Sequence, residues 1–507
     1  MARVINLPLN NPAKMGLNKQ ESASILGMEW ATELQNAVYN ANGAIAARKG
    51  FKNTNATTIT DTPRSLYEYI DDTGQTIYIT GALDTIYKKD GTSLTDITGT
   101  ATTPTAGNWK FTNFNGVCVG FQANHSPIVI TSVGGSFADI SLSGTQQPST
   151  SVNEVLAAFG RLWVIDGTDL KYCDLLDYTA WNSVYDLHSY WGAGGDTGIA
   201  LAEFNGNLVV FGYNNIIIYD ASGGAGSLVK TEVLNGIGCI ARDSVQQVGD
   251  DLWFLSHSGV MSLRRTIQEK SMPLRDVSKN VRDYMINLVG STYTNIKSTY
   301  NELEGFYLLS LPDANRVFCF DTKVFLPDGS ARASEWIATW TSLFSSPDHH
   351  IQYLTTTGFL NTYTGYYDNV ASDGSGGDDY NFLYVSPWTD MGQIDPSLSS
   401  RLKILKRAAI TVFTTATQDL SLRWYTDFSS TLLSETVSVT ANPYASYYGI
   451  AQYGIGTYSS SVNLVKAKTP MSRTGQFFKF GIYANISGSS FSLQFLNIEA
   501  KIGRETI

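Results

Sequence analysis

Residues 199–220 read Ile199-Ala200-Leu201-Ala202-Glu203-Phe204-Asn205-Gly206-Asn207-Leu208-Val209-Val210-Phe211-Gly212-Tyr213-Asn214-Asn215-Ile216-Ile217-Ile218-Tyr219-Asp220. A short alternating strand, Ile199 and Leu201, leads into an Asn205-Gly206 turn. A four-residue apolar run follows, Asn214-Asn215 turns the chain again, and Ile216 to Tyr219 closes the phrase. Asn-Gly between apolar runs is a strong hairpin signal because both central residues must take positive φ. Apolar runs without alternation fit strands covered on both faces.

The phrase recurs about every 40–55 residues through the first three quarters of the chain. Asp72-Thr73-Gly74 precedes Ile77-Tyr78-Ile79, and Asn115-Gly116 precedes Val117-Cys118-Val119. Leu162-Trp163-Val164-Ile165 turns through Asp166-Gly167 into Leu170-Lys171-Tyr172. A fifth copy holds Leu252-Trp253-Phe254-Leu255, a sixth holds Phe306-Tyr307-Leu308-Leu309, and a weaker seventh lies near residues 351–385. A recurring antiparallel unit of this length predicts an all-β fold, a β-propeller of six or seven blades at residues 61–390. A large β-sandwich shares the hairpins but not the constant internal order. An N-terminal arm precedes the repeats (1–60), expected to dock on a ring or adaptor, and a C-terminal β-sandwich-like domain follows (391–507).

Within the arm, Ser24, Ile25, Met28, Ala31, Gln35 and Val38 fit one amphipathic helix. Val277, Val281, Met285 and Leu288 share a helical face before Gly290, which predicts a short helix between the fifth and sixth copies. In the last domain Phe491, Leu493 and Phe495 alternate, and then the phase flips to Leu496, Ile498, Ala500 and Ile502. A flip of one residue predicts a β-bulge.

The 507 residues are 43% hydrophobic and only 16% charged, and the formal net charge is −10. Such a balance argues against gripping nucleic acid by neutralising its phosphates, but not against letting it pass. Cys118, Cys173, Cys239 and Cys319 lack CxxC spacing and read as reduced core thiols. The first residues lack a signal-peptide h-region, and no run of 18 apolar residues offers a membrane span. The expectation is synthesis in a cytoplasm.

No catalytic motif emerges. The five histidines (His125, His188, His257, His349, His350) form no HExxH or Cys/His metal spacing, and neither a P-loop nor GxSxG is present. Gly223-Gly224-Ala225-Gly226 lacks the Lys-Ser/Thr ending of a phosphate cradle and reads as a blade loop. The Asp- and Gly-rich stretch 368–379 has calcium-like composition without EF-hand spacing, and a solvated loop is the better reading. Sialidase-type Ser-x-Asp-x-Gly-x-x-Trp boxes are missing. A glycan-binding or glycan-cleaving propeller stays as the alternative, since paired carboxylates are defined in space and not by spacing. One basic run stands out, Arg401-Leu402-Lys403-Ile404-Leu405-Lys406-Arg407. Arg401 and Lys403 are expected on one strand face opposite Leu402 and Ile404. Arg401, Lys403, Lys406 and Arg407 are the candidate partner contacts, set against a charged edge strand that merely blocks aggregation.

Taken in order, several phrases resemble the tail-nozzle or tail-hub proteins of short-tailed phages, also called packaged-DNA stabilisation proteins. Gly43 to Gly50 is similar to the family's Gly-x(4)-Arg-x-Gly opening, with Lys49 where Pro is expected. Gly160-Arg161-Leu162-Trp163 with Asp166-Gly167-Thr168-Asp169, the hairpin from Asn207 to Tyr219, Asn235-Gly236-Ile237-Gly238-Cys239, Trp253-Phe254-Leu255-Ser256, Glu304 to Asp321, and the run 401–407 follow in the same order. The C-terminal third departs most. The resemblance implies a non-enzymatic virion protein without cofactor or bound metal. It would form a homo-hexameric ring below the portal-adaptor, extend the DNA channel, retain and release the genome, and offer attachment to tail fibres or spikes. An acidic lumen would keep DNA moving without specific binding.

Overall fold

The computed structural model describes residues 4–187, 191, 195–264, 276–440 and 464–505. Its strands form seven antiparallel units in chain order, residues 65–96, 110–139, 155–186, 198–235, 246–262, 297–336 and 340–363, the sixth being one end of a larger sheet. These are blades 1 to 7 of a β-propeller. The first strand of each blade is innermost and touches the next blade, and the inner strand of blade 7 (Trp340–Ser345) returns to that of blade 1 (Ser65–Ile70). Hydrophobic clusters fill the joints. Val209, Phe211 and Ile218 of blade 4 meet Leu252 and Phe254 of blade 5, and Trp163, Leu170 and Tyr172 of blade 3 meet Leu208, Val210 and Ile217. The double-sided burial anticipated for Leu208 to Phe211 is complete, since all four are 0% exposed. The joint between blades 7 and 1 is the thinnest, with Leu66, Leu354 and Leu360 at its centre.

The seventh blade explains why its repeat reads weakly. Its own strands end at Tyr363, and its outermost strand is Phe51–Asn53 from the N-terminal region, paired Phe51 to Tyr363 and Asn53 to Asn361. Residues 380–385, read from sequence as the end of the seventh copy, belong to a different sheet.

Residues before the repeats are woven into the chain's own sheets. Val4–Asn10 pairs along residues 495–501, and Ala37–Tyr39 with Ile45–Ala47 extends the same sheet. Glu33–Gln35 lies between Trp336's strand in blade 6 and Tyr380–Val385, so blade 6 continues into a nine-stranded sheet of the C-terminal region. The helix expected across residues 24–38 is therefore absent, replaced by the short strands Trp30–Ala31, Glu33–Gln35 and Ala37–Tyr39. Asn36 at φ 51° interrupts any helix, and pairing with residues some 300 positions away overrides the weak local preference. The helix after blade 5 does form, Arg282–Val289, with Met285 and Val289 buried and Gly290 at φ 65° beyond its end.

The C-terminal region packs a six-stranded sheet on the far part of the nine-stranded sheet. Phe382 and Phe491 meet edge to face across the gap, at 5.1 Å between ring centres. The expected bulge is present: Thr411 pairs with Phe495 and Val412 with Leu493, which leaves Gln494 over. The flip falls one residue earlier than the alternation implied, so Phe495 points out, 45% exposed.

Arg48 joins these parts. Its guanidinium is buried and donates to both carboxylate oxygens of Asp368 at 2.8 and 2.7 Å and to Asn36 Oδ1 at 3.0 Å. It also stacks on Tyr380 at 4.2 Å. Burial works against its charge, yet the Asp368 hydrogen bonds and charge raise its pKa further. Removing one partner would leave an uncompensated charge inside the fold. Asp368→Ala is expected to lower stability by about 3–5 kcal/mol in urea unfolding, whereas a paired Arg48→Met/Asp368→Leu replacement recovers most of the loss.

Candidate functional site

The inner strands bring charged side chains to the propeller axis. Lys110 opens the inner strand of blade 2, Glu154 immediately precedes that of blade 3, and Lys297 opens that of blade 6. Arg242 and Asp243 lie in the single 3-10 turn ahead of blade 5. Asp243 is the hub: Lys297 Nζ donates at 2.5 Å, Arg242 Nη2 at 2.8 Å, and Lys110 Nζ stands at 3.6 Å. Glu154 meets Lys110 at 3.7 Å and Arg242 at 3.8 Å, and accepts from the Leu201 amide. Asn108 Oδ1 accepts from Arg242 Nη2 at 3.1 Å and also from Lys297.

The two carboxyls respond oppositely. Burial opposes ionisation of Asp243, but Arg242, Lys297 and Lys110 together hold its pKa well below the ordinary value. For Glu154 burial wins over the longer contacts to Lys110 and Arg242 and pushes its pKa up to about 7. Burial likewise lowers Lys297 to about 8, against the pull of Asp243. Beside this network lies a cavity of about 310 Å³, lined by Tyr67, Trp109, Phe111, Lys110, Lys297 and Ser345 among others. Sequence reading passed these residues over. Their only signal is a charge placed next to the start of an inner strand, as at Glu154 before Val155-Leu156 and at Lys297 before Ser298-Thr299. Chemically the cluster can exchange a proton near neutrality.

The basic run behaves differently from its expectation. Lys403 is 0% exposed and donates to the Gln476 carbonyl at 2.9 Å, so it cannot serve as a surface contact as predicted. Burial lowers its pKa to about 8, against Asp390 and Asp427. Leu405 points inward beside it, while Leu402 and Ile404 are half-buried on the opposite side. The register shift between Leu405 and Arg407 then lets Lys406 and Arg407 both face out, where Arg407 pairs with Glu499. Arg401 is half-buried at the strand's start.

In the 368–379 loop the carboxylates are spent separately. Asp368 serves Arg48, Asp378 accepts from Asn369, Asp379 from Asn485, and Asp373 from the Ser375 amide. Among the described residues no group of three His, Cys, Asp or Glu side chains could hold a metal ion. His125 sits between the Ser126 and Thr102 carbonyls, and His257 packs edge-on against Tyr213. His349 and His350 lie in and just after a turn capped by Ser346, not on a strand, and His188 lies outside the described residues. All four cysteines are free and buried, as anticipated. The Gly223 to Gly226 run is an exposed loop between the outer strands of blade 4.

The fold is an all-β propeller with a two-sheet C-terminal extension. No protein-family profile matches the chain, and no curated protein sequence does. Among solved structures it is similar to a streptogramin B lyase, at 12% identity and a TM-score of 0.37, over 62% of this chain and 97% of that one. It is also similar to the WD40 domain of Neurospora crassa Pan2, at 8% identity and a TM-score of 0.39, over 60% and 89%. A third similarity is to the extracellular domain of a one-component system from B. thetaiotaomicron, at 12% identity and a TM-score of 0.42. There the match covers 85% of this chain and 62% of the other, so the chain spans less than two thirds of that protein.

The raised Glu154 carboxyl sets a sign for the pH dependence. Its folded pKa lies above the ordinary value of 4.5, so the folded state holds its proton longer, and stability from this group falls as pH rises from about 4.5 to about 7. Glu154→Gln keeps a neutral side chain throughout. In urea titrations the variant should gain on the parent protein across that window by on the order of 3 kcal/mol, and then run parallel above it. Parallel curves from pH 4.5 to 7 would show that Glu154 titrates normally.

Proposed function

We propose that this protein is a structural subunit of a short-tailed phage tail, part of a nozzle or hub ring below the portal-adaptor. The observation that carries this reading is the colinear series of phrases from Gly43–Gly50 to the run 401–407 that resembles that family. The architecture is compatible with it. A propeller whose axis carries interlocked ion pairs is a rigid block and not a conduit, so DNA would pass between subunits around a common ring axis. Six copies related by rotation would supply that axis. The net acidic chain would line it without gripping phosphate. In this reading the protein is not an enzyme and needs no cofactor. It is made in the bacterial host and acts in the virion, where it retains the genome, allows its ejection and carries fibres or spikes.

The second reading, a glycan-binding or glycan-cleaving propeller, draws on the aromatic-lined axial cavity. One measurement separates them: the mass of the purified protein, alone and with portal-adaptor rings, by light scattering and electron microscopy. Six-fold rings, free or templated on the adaptor, are the expected result. A monomer that ignores the adaptor and binds a glycan array would replace the nozzle reading with the other.

A further inference from the structure

Among the described residues, the six-stranded C-terminal sheet buries one face and leaves the other uncovered. On its outer face Lys466 and Lys468 lie across from Thr411 and Ala409, which in turn lie across from Phe495 and Asn497. Arg407 lies across from Glu499, Ile404 from Lys501, and Val4–Asn10 continues the surface with Val4, Asn6, Pro8 and Asn10 exposed. With Lys406 beside the bulge, this face carries five cations and one carboxylate among the described residues, and Arg407 already occupies that carboxylate. Arg407, Lys466 and Lys468 line a shallow pocket of about 120 Å³ with Asn497 and Glu499. Same-face neighbours on a strand stand about 7 Å apart and adjacent strands about 5 Å. Like charges at such spacing repel unless something acidic covers them.

Three apolar side chains share the surface: Val4 at 52%, Leu464 at 53% and Phe495 at 45% exposure. Phosphate tracking has no use for them, and Glu499 would oppose it. The rest of the chain is net acidic. Without this face's five cations and one carboxylate, 30 Lys and Arg remain against 44 Asp and Glu, a net charge of −14.

We propose that the outer face of this sheet, centred on Arg407, Lys466 and Lys468, docks on the acidic surface of a second copy of the chain. Two such faces cannot meet each other, because both are basic. The contact is therefore heterologous, head to tail, the kind that generates a ring when the rotation closes. The inference rests on the ring-forming reading above and names the surface that would build it.

The test compares self-association of the full chain and of Lys466→Glu/Lys468→Glu by light scattering, with and without adaptor rings, after thermal unfolding confirms equal folding. The double reversal is expected to weaken association at least tenfold, while Lys466→Arg/Lys468→Arg keeps it. Association of the parent protein should fall as salt rises from about 50 to about 500 mM, as screening shortens. Rings of unchanged affinity from the reversal variant would overturn this inference and leave the nozzle reading standing. A parent protein that stays monomeric even on the adaptor would overturn both. Salt-sensitive retardation of duplex DNA by this face, without self-association, would replace the second copy with nucleic acid.

Discussion

Everything in this molecule depends on the closure of a ring by a strand that lies far from it in sequence. Phe51–Asn53 completes blade 7, so the chain before the first repeat must be in place before the last blade has its outer edge. The loop that closes spans about 300 residues, yet loop entropy grows only with the logarithm of length, so the penalty is modest. What matters is that the closing strand be held, and Arg48 does this three residues earlier. Its guanidinium ties the N-terminal region to Asp368 beyond blade 7 and stacks on Tyr380 of the C-terminal sheet. Closure is thus backed by a buried, bidentate charge pair, which adds geometric definition as well as attraction. The thin apolar joint between blades 7 and 1 makes that reinforcement physically sensible.

The axial ion pairs follow from the same closure. Lys110, Glu154, Arg242, Asp243 and Lys297 belong to four separate blades or the turns before them, and only a closed ring sets them within 4 Å of one another. Desolvating such charges offsets much of their attraction, so their value lies less in stability than in register. A blade displaced along the axis would take Lys110 or Lys297 away from Asp243 and leave it Arg242 of its own turn.

Legibility in the sequence tracked how local the determinant was. The blades could be read because each carries its own turn chemistry: Asn115, Gly167 and Asn205 all sit at positive φ where a turn was expected. Leu208 to Phe211 announced double-sided burial because no polar residue interrupts them. The N-terminal strands could not be read this way. Leu34, Ala37 and Tyr39 are buried by partners in blade 6 and the C-terminal sheets, and no window of neighbouring residues contains that information. The seventh blade was faint because a quarter of it is elsewhere in the chain. Lys403 was misplaced for a similar reason. A lysine in a basic run reads as solvated, and only the fold supplies the Gln476 carbonyl that lets its stem go inside.

The distribution of charge carries the last step. Several buried charges of this chain stand in ion pairs, at Arg48, at the axis and at Arg332 with Asp321, while Lys403 is buried against a backbone carbonyl alone. The chain as a whole is net acidic, and Arg407, Lys466 and Lys468 gather on one sheet face. A protein built to bind a small substrate concentrates unpaired polar groups in a concavity. An assembly surface spreads them over a broad area with a few apolar side chains among them, and the proposed contact rests on such a mixture at Arg407, Lys466, Lys468 and Phe495. The bulge at Gln494 has a direct part in this: by flipping the phase of the last strand it turns Phe495 out of the core and onto that face. A sequence that merely needed a filled sandwich would have kept the alternation. Phe495 thereby lies among the cations of that face, and the head-to-tail contact proposed above would cover both at once.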